Sequence, residues 1–353
     1  MNRIYAGDCL AVMSELVRVG AKVQTCVTSP PYWGLRDYGV AGQLGLESLH
    51  DCLGWATGDR CGDCHVCRMV EVFRAVRDLL ADDGTLWINY GDSYAGGGSG
   101  WQGKNGQRAD RRFTASRDTV AMRDMGRRPP AGLKPKDLAG IPWRIALALQ
   151  ADGWYLRQDI IWAKPNPMPE SVTDRCTKSH EYLFLLAKSD RYYFDSDAIA
   201  EPRVSLNGAG VAGWASGPGA HDAVSHNRDK GDARTFRGGQ HTEGNKFKNS
   251  HATKRNSTGN KPAEVETRNR RSVWTIATQP YSGAHFATFP PALIEPCILA
   301  GSRPGDIVLD PFFGSGTTGE VAERLGRQWI GIELNPDYVT LAKQRTQQTG
   351  MVL

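Results

Sequence analysis

The sequence predicts an α/β protein built on a seven-stranded, mostly parallel sheet with helices on both faces. Three observations carry the prediction. Short apolar runs of strand length alternate with segments whose apolar residues recur at helical spacing. Four runs stop at Asp8, Ser29, Asp310 and Glu333, polar groups at the strand ends where open parallel sheets bind ligands. The run Ile307 to Leu309 enters an acidic, glycine-rich turn and then a helix.

The elements follow in order. Ile4 to Ala6 is a short strand ending at Gly7-Asp8, and Leu10 to Leu16 has helical spacing. Val23 to Val27 is a second strand, stopped by Pro30 and Pro31, which have no N–H for a neighbouring strand. Val70 to Leu80 carries a helical stripe, and Asp82-Asp83-Gly84 turns into the strand Thr85 to Asn89. Pro142 to Leu149 is a helix with proline in its first turn, where the missing N–H has no partner to lose. Tyr155 to Trp162 and Tyr182 to Ala187 form a hairpin. The helix Pro291 to Leu299, the strand Asp306 to Leu309, a helix from Gly316, the strand Gln328 to Ile332 and the helix Tyr338 to Gln344 complete the chain.

The 353 residues carry a formal charge of only +5, unevenly spread. Residues 95–140 hold ten Lys/Arg against four Asp/Glu, and 201–272 hold thirteen against seven. The remainder is net negative, so two basic, glycine-rich stretches interrupt an acidic body. That distribution fits either phosphate-backbone binding or solvated surface loops. Without a run of about twenty apolar residues or a signal peptide, the chain is expected in the cytoplasm, away from membranes. One domain over 1–353 is expected, carrying a cysteine-rich insertion at 50–68 and the basic insertions at 95–140 and 201–272.

Asp310 closes its strand, and Gly314 and Gly316 let the backbone turn tightly and approach a ligand. The helix starting near Thr317 offers amides to an anionic group. About twenty residues on, Glu333 ends the next strand, placed to accept hydrogen bonds from two ribose hydroxyls. The dinucleotide fingerprint, G-x-G-x-x-G directly after the strand, is absent here; an acid-Pro-aromatic stands between the strand and the glycines. Upstream, His285 to Pro291 could wall an adenine or only cap a helix.

In Thr28-Ser29-Pro30-Pro31-Tyr32-Trp33, a hydroxyl, a carbonyl between two rigid prolines, and aromatic rings follow a strand. An amine conjugated to a base ring is a poor nucleophile because its lone pair is delocalised. Ser29 Oγ and the Pro30 carbonyl can accept its two N–H groups, and Pro31 stiffens the loop. Tyr32, with Trp33 behind it, can stack on a base swung out of a duplex. Gly91 to Tyr94 either shapes the same pocket or ends the sheet, and Lys164 and Asn166 are candidates for phosphate or base contacts.

Asp310 to Thr318, Thr28 to Trp33 and His285 to Pro290 together resemble the DNA amino-methyltransferases, the N4-cytosine and N6-adenine family, in the circularly permuted order called the β class. The resemblance covers the sheet elements and not the basic insertions. It implies a Rossmann-like fold that uses S-adenosylmethionine, with Asp8, Thr288, Phe289, Asp310, Phe312, Gly314, Ser315, Gly316, Thr317 and Glu333 at the cofactor. The N-terminal strand would complete the cofactor half, with Asp8 near the adenine or capping a helix. Ser29, Pro30, Pro31 and Tyr32 would act on the base. In that family a serine at the Ser29 position accompanies cytosine, so N4-cytosine in double-stranded DNA is the expected target, with N6-adenine as the alternative. The stretch 201–272 lies where the family carries target recognition, and a restriction endonuclease is the expected partner of such a system. Two other readings stay open: a non-catalytic nucleic-acid-binding protein on a decayed fold, and an RNA or protein methyltransferase.

Cys52, Cys61, Cys64 and Cys67 offer four thiolates within sixteen residues, the donor set of a structural zinc. His50 and His65 are spare ligands. Cys9, Cys26, Cys176 and Cys297 are expected to be inert buried thiols.

Overall fold

The structure, a computed structural model, describes residues 2–35, 37–47, 49, 60–95, 133–202, 267–279 and 289–349. In chain order the described elements are β1 (Arg3–Ala6), α1 (Cys9–Arg18), β2 (Val23–Thr28), α2 (His65–Leu79), β3 (Leu80–Tyr90), α3 (Ile141–Ala151), β4 (Tyr155–Ala163), β5 (His180–Ala187), β6 (Glu201–Pro202) and β7 (Thr267–Arg268). They continue with β8 (Val273–Thr275), α4 (Pro291–Gly301), β9 (Ile307–Asp310), α5 (Thr317–Arg324), β10 (Gln328–Glu333) and α6 (Pro336–Thr349). Two compact units result, Met1–Ala200 with Asn269–Leu353, and Glu201–Arg268. Of the second unit the antiparallel pair β6–β7 is described, held also by Arg268 Nε donating to Glu201 Oε1 at 2.8 Å.

The sheet of the first unit runs β1-β10-β9-β2-β3-β5-β4-β8. Every neighbouring pair is parallel except the two that β5 makes with β3 and β4. The seven expected strands are present, and β8 adds an eighth at the edge. Three residues are too few for a periodicity signal, so β8 exists because β4 offers it an edge. The N-terminal strand completes the C-terminal half: β1 pairs with β10 in the register Arg3↔Ile330 to Ala6↔Glu333.

Strand side chains alternate between two cores, as a sheet covered on both faces requires. Cys26, Leu86, Phe184 and Leu309 face a core built with α1, α2 and α3. Val27, Trp87, Leu185 and Val308, one residue along, face a core built with α4, α5 and α6.

Asp82-Asp83-Gly84 is not a turn ahead of β3 but part of it. The register with β2 jumps from Val23↔Leu80 to Thr25↔Thr85, absorbing the extra residues as a bulge. Gly84 is needed there, since a Cβ would stand 2.9 Å from Ala81 O and 3.0 Å from Gln24 O. Among the described residues no helix is long and apolar enough to cross a membrane.

Candidate active site

The glycine-rich turn hangs on two carboxylates, one buried and one half-buried. Asp310, at the tip of β9, receives the Thr28 hydroxyl (2.6 Å) and the Phe312 N–H (3.0 Å) on Oδ1, and the Thr318 hydroxyl (2.6 Å) on Oδ2. Burial pushes its pKa up to about 6, against the pull of those three donors. Glu333, at the tip of β10, receives Gly314 N–H at 2.7 Å on Oε2 and Asn335 N–H at 2.8 Å on Oε1. Burial raises its pKa too. Each Glu333 oxygen keeps a second lone pair for a hydroxyl donor.

Gly314 (φ 51°) and Gly316 (φ 85°) take left-handed backbone conformations, and Gly316 caps α5. The first-turn amides of α5 have no intrahelical carbonyl. The Ser315 and Thr317 hydroxyls are buried and both accept from Arg345 Nη1, at 3.1 and 2.8 Å. The side chains of these two residues are thus engaged within the protein, and their backbone amides are what they have left to offer. Phe313 anchors the turn by stacking on Trp329 at a centroid distance of 5.1 Å, within the roughly 4.5–7 Å usual for such pairs. Phe312 packs on the α1–α3 core and Phe289 on the α4–α6 core. Asp8 takes its capping alternative: Oδ1 accepts Ala11 N–H at 2.9 Å at the start of α1. It remains next to Glu333, because Gly7 N–H donates to Glu333 O at 2.9 Å. Thr288 lies outside the described residues.

The Thr28–Asp310 bond joins this turn to the loop at the tip of β2, 282 residues away in sequence. Ser29 follows directly and donates to the Tyr32 hydroxyl at 3.4 Å. Tyr32 in turn donates to Glu181 Oε2 at 2.7 Å, with Asn89 Oδ1 at 3.0 Å as a second acceptor. Burial first, and the Glu181 charge second, hold the Tyr32 hydroxyl protonated well above its usual range. The ring stacked behind Tyr32 is Tyr90, 5.0 Å away at 27°. Trp33 was expected there; instead it is buried, with Nε1–H donated to Glu47 O at 2.8 Å. Gly91 permits the close approach, because a Cβ would fall 2.6 Å from the Tyr32 ring. Asp92 accepts Ser93 N–H and Ile141 N–H, fastening α3 to the end of β3.

Lys164 and Asn166 are engaged within the protein. Lys164 Nζ pairs with Glu181 Oε1 and lies 4.3 Å over the Trp162 ring. Asn166 Oδ1 accepts Thr278 N–H at 3.0 Å. Sequence periodicity gave no hint of Thr28, Asn89, Glu181 or Arg345, since each gains its role from a partner distant in sequence.

Cys61, Cys64 and Cys67 bring their sulfurs within 4.8 Å of one another. Cys61 Sγ and Cys67 Sγ are 3.9 Å apart, against about 3.8 Å between thiolates sharing one tetrahedral zinc. Cys64 N–H donates to Cys61 Sγ at 3.3 Å, which suits a negative sulfur. The donor set thus fits zinc. Cys52 and His50 lie outside the described residues; of the other thiols Cys9, Cys26 and Cys297 are buried as expected, whereas Cys176 is exposed. His65 is not a spare ligand, as Glu47 and Tyr90 occupy both its ring nitrogens.

The sheet order and the two joined loops define a Rossmann-like methyltransferase fold. A family model described as DNA methylase, N6_N4_Mtase, matches residues 23–344, and the chain belongs to that family of DNA methyltransferases. It is 43% identical over 344 residues to the Type II methyltransferase M.Cfr9I of Citrobacter freundii, across 98% of this chain and 87% of that protein. It is 44% identical over 346 residues to the Type II methyltransferase M.SmaI of Serratia marcescens, across 97% and 90%. The solved cytosine-N4-specific PvuII DNA methyltransferase shares the fold at a TM-score of 0.54 and 16% identity, over 99% of this chain and 90% of that one.

Proposed function

We propose that the chain methylates N4 of a cytosine flipped out of double-stranded DNA. S-adenosylmethionine, held by the 310–317 turn and Glu333, supplies the methyl group as a sulfonium electrophile. The observation that carries the reading is the Thr28–Asp310 hydrogen bond, which ties the amine-facing loop to the cofactor turn. Ser29 gives its own hydrogen to Tyr32, so its Oγ lone pairs are available to an amine N–H. The Pro30 carbonyl accepts the second N–H, drawing the nitrogen toward tetrahedral geometry and freeing its lone pair. Tyr32 keeps one ring face for the base, the other being covered by Tyr90. Positioning supplies most of the rate.

Serine at position 29 favours cytosine over adenine. Residues 201–272 are assigned to target recognition and 95–140 to backbone contact, both on charge. The similarity to Type II methyltransferases supports a cytoplasmic protein acting alongside a restriction endonuclease of the same specificity. Cys61, Cys64 and Cys67, with Cys52, would hold one zinc of structural purpose.

Mass spectrometry of nucleosides from DNA of cells expressing the chain tests the activity. N4-methylcytosine is expected; N6-methyladenine would transfer the assignment to the other base, and neither product would end it. Metal analysis of the purified, reduced protein should find close to one zinc per chain, and none would retire the cysteine site.

A further inference from the structure

A run of side chains joins the cysteine turn to the amine-facing loop. Cys64 caps α2, and His65 is the first residue of that helix, with a fully buried side chain. Its Nδ1 meets Glu47 Oε2 at 2.8 Å and its Nε2 meets the Tyr90 hydroxyl. The same hydroxyl lies 2.8 Å from Pro31 O, which can only accept. The single phenolic hydrogen therefore goes to Pro31, His65 Nε2 supplies the hydrogen of the other contact, and a further hydrogen lies between Nδ1 and Glu47 Oε2.

Glu47 and its neighbours hold the other side of the loop. Glu47 O accepts from Trp33 Nε1, and Gly45 O accepts Gly34 N–H at 2.9 Å. A Cβ at Gly45 would stand 3.2 Å from Pro31 Cβ. Pro30 and Pro31 have no N–H, so this loop can be fastened at those positions only through carbonyls and ring contacts. Tyr90 provides both, by its hydroxyl on Pro31 and its ring on Tyr32.

We infer that Tyr90 and His65 are positioning residues, which transmit the rigidity of the cysteine turn to Pro31 and so set the direction of the neighbouring Pro30 carbonyl. The inference rests on the amine-acceptor role proposed for Ser29 and Pro30. The cysteine turn thereby supports methyl transfer without touching substrate. The cofactor turn should keep its place without the brace, because Thr28, which joins the loop to Asp310, is fixed within β2, and Asp310 and Glu333 have further partners of their own.

The test uses the full chain carrying Tyr90→Phe, which keeps the ring and removes the hydroxyl. The variant should bind S-adenosylmethionine in calorimetry as the parent does, while kcat falls about 10- to 100-fold, the scale of a small misplacement of reacting groups. Hydrogen exchange should quicken at the Gly34 amide and stay slow in α2. Stripping zinc from the parent with a chelator should reproduce both changes and re-addition of zinc reverse them; stripping it from Tyr90→Phe should add little, as expected of groups in one chain of contacts. Parental kcat and Gly34 exchange in the variant would overturn the inference. So would a loss of cofactor affinity in step with kcat, which would mean general loosening. A parent that methylates no base would end the functional reading, while the exchange comparison would still decide the brace.

Discussion

Ser29 and Asp310 carry opposite kinds of burden. Ser29 is asked to act only on the amine, so Ser29→Ala should lower kcat about 10²-fold, by analogy with the loss of one transition-state hydrogen bond. Cofactor affinity, measured by calorimetry, should hold; the reverse pattern would exchange the roles of the two loops. Asp310 is structural as much as functional, a charge kept in the core by three donors. Its folded pKa of about 6 lies above the ordinary 3.8 because burial outweighs those donors. The folded chain therefore binds this proton more tightly than the unfolded chain does. The stabilising contribution is full below about pH 4 and is lost as pH rises through 6, by up to about 3 kcal/mol. Asp310→Asn removes that term. Urea unfolding of the cofactor-free proteins between pH 4.5 and 7.5, read as a difference, should show the parent losing ground to the variant as pH rises. A difference independent of pH would contradict the assignment.

At the scale of elements, the cofactor turn depends on what β10 and α5 leave out. Gly331 in β10 has no room for a side chain, since a Cβ would lie 2.4 Å from the Phe313 ring. Gly319 in α5 is similar, with a Cβ 2.6 Å from the far edge of that ring. The ring fills the space between strand and helix, and its backbone N–H donates to Ile332 O at 2.9 Å. Gly331→Ala should therefore cost about 1–3 kcal/mol of unfolding free energy through overpacking. It should also weaken S-adenosylmethionine binding, because the displaced ring carries residues 312–316 with it. Parental stability in chemical denaturation would show that Phe313 is not held as described.

At the scale of the molecule, the proposed function separates chemistry from recognition. The β6–β7 pair places Pro202 opposite Thr267, so residues 203–266 leave and return at neighbouring points. A short hairpin turn can bridge such a pair. Replacing 203–266 by a turn of two to five residues should preserve cofactor binding in calorimetry. It should abolish site-specific DNA binding and flatten the salt dependence of what binding remains, because ten of the forty-three basic residues leave with it. Retained specificity in a filter-binding or mobility assay would move target recognition elsewhere in the chain.

What could be read from residues alone was whatever local chemistry dictates. Short apolar runs marked the main strands, and glycines and prolines marked the turns at Gly314, Gly316 and Pro30-Pro31, because backbone freedom and missing donors are properties of single residues. The acids at strand ends could be seen for the same reason. Which way those ends face each other is decided only in three dimensions. Thr28 matters because β2 and β9 are neighbours, Tyr90 because β3 ends beside Pro31, and Arg345 because α6 crosses the turn at Ser315. Such pairings join segments tens to hundreds of residues apart. Local pattern holds no record of them; the strand order of the sheet, which sets β2 between β9 and β3, and the packing of α6 create them.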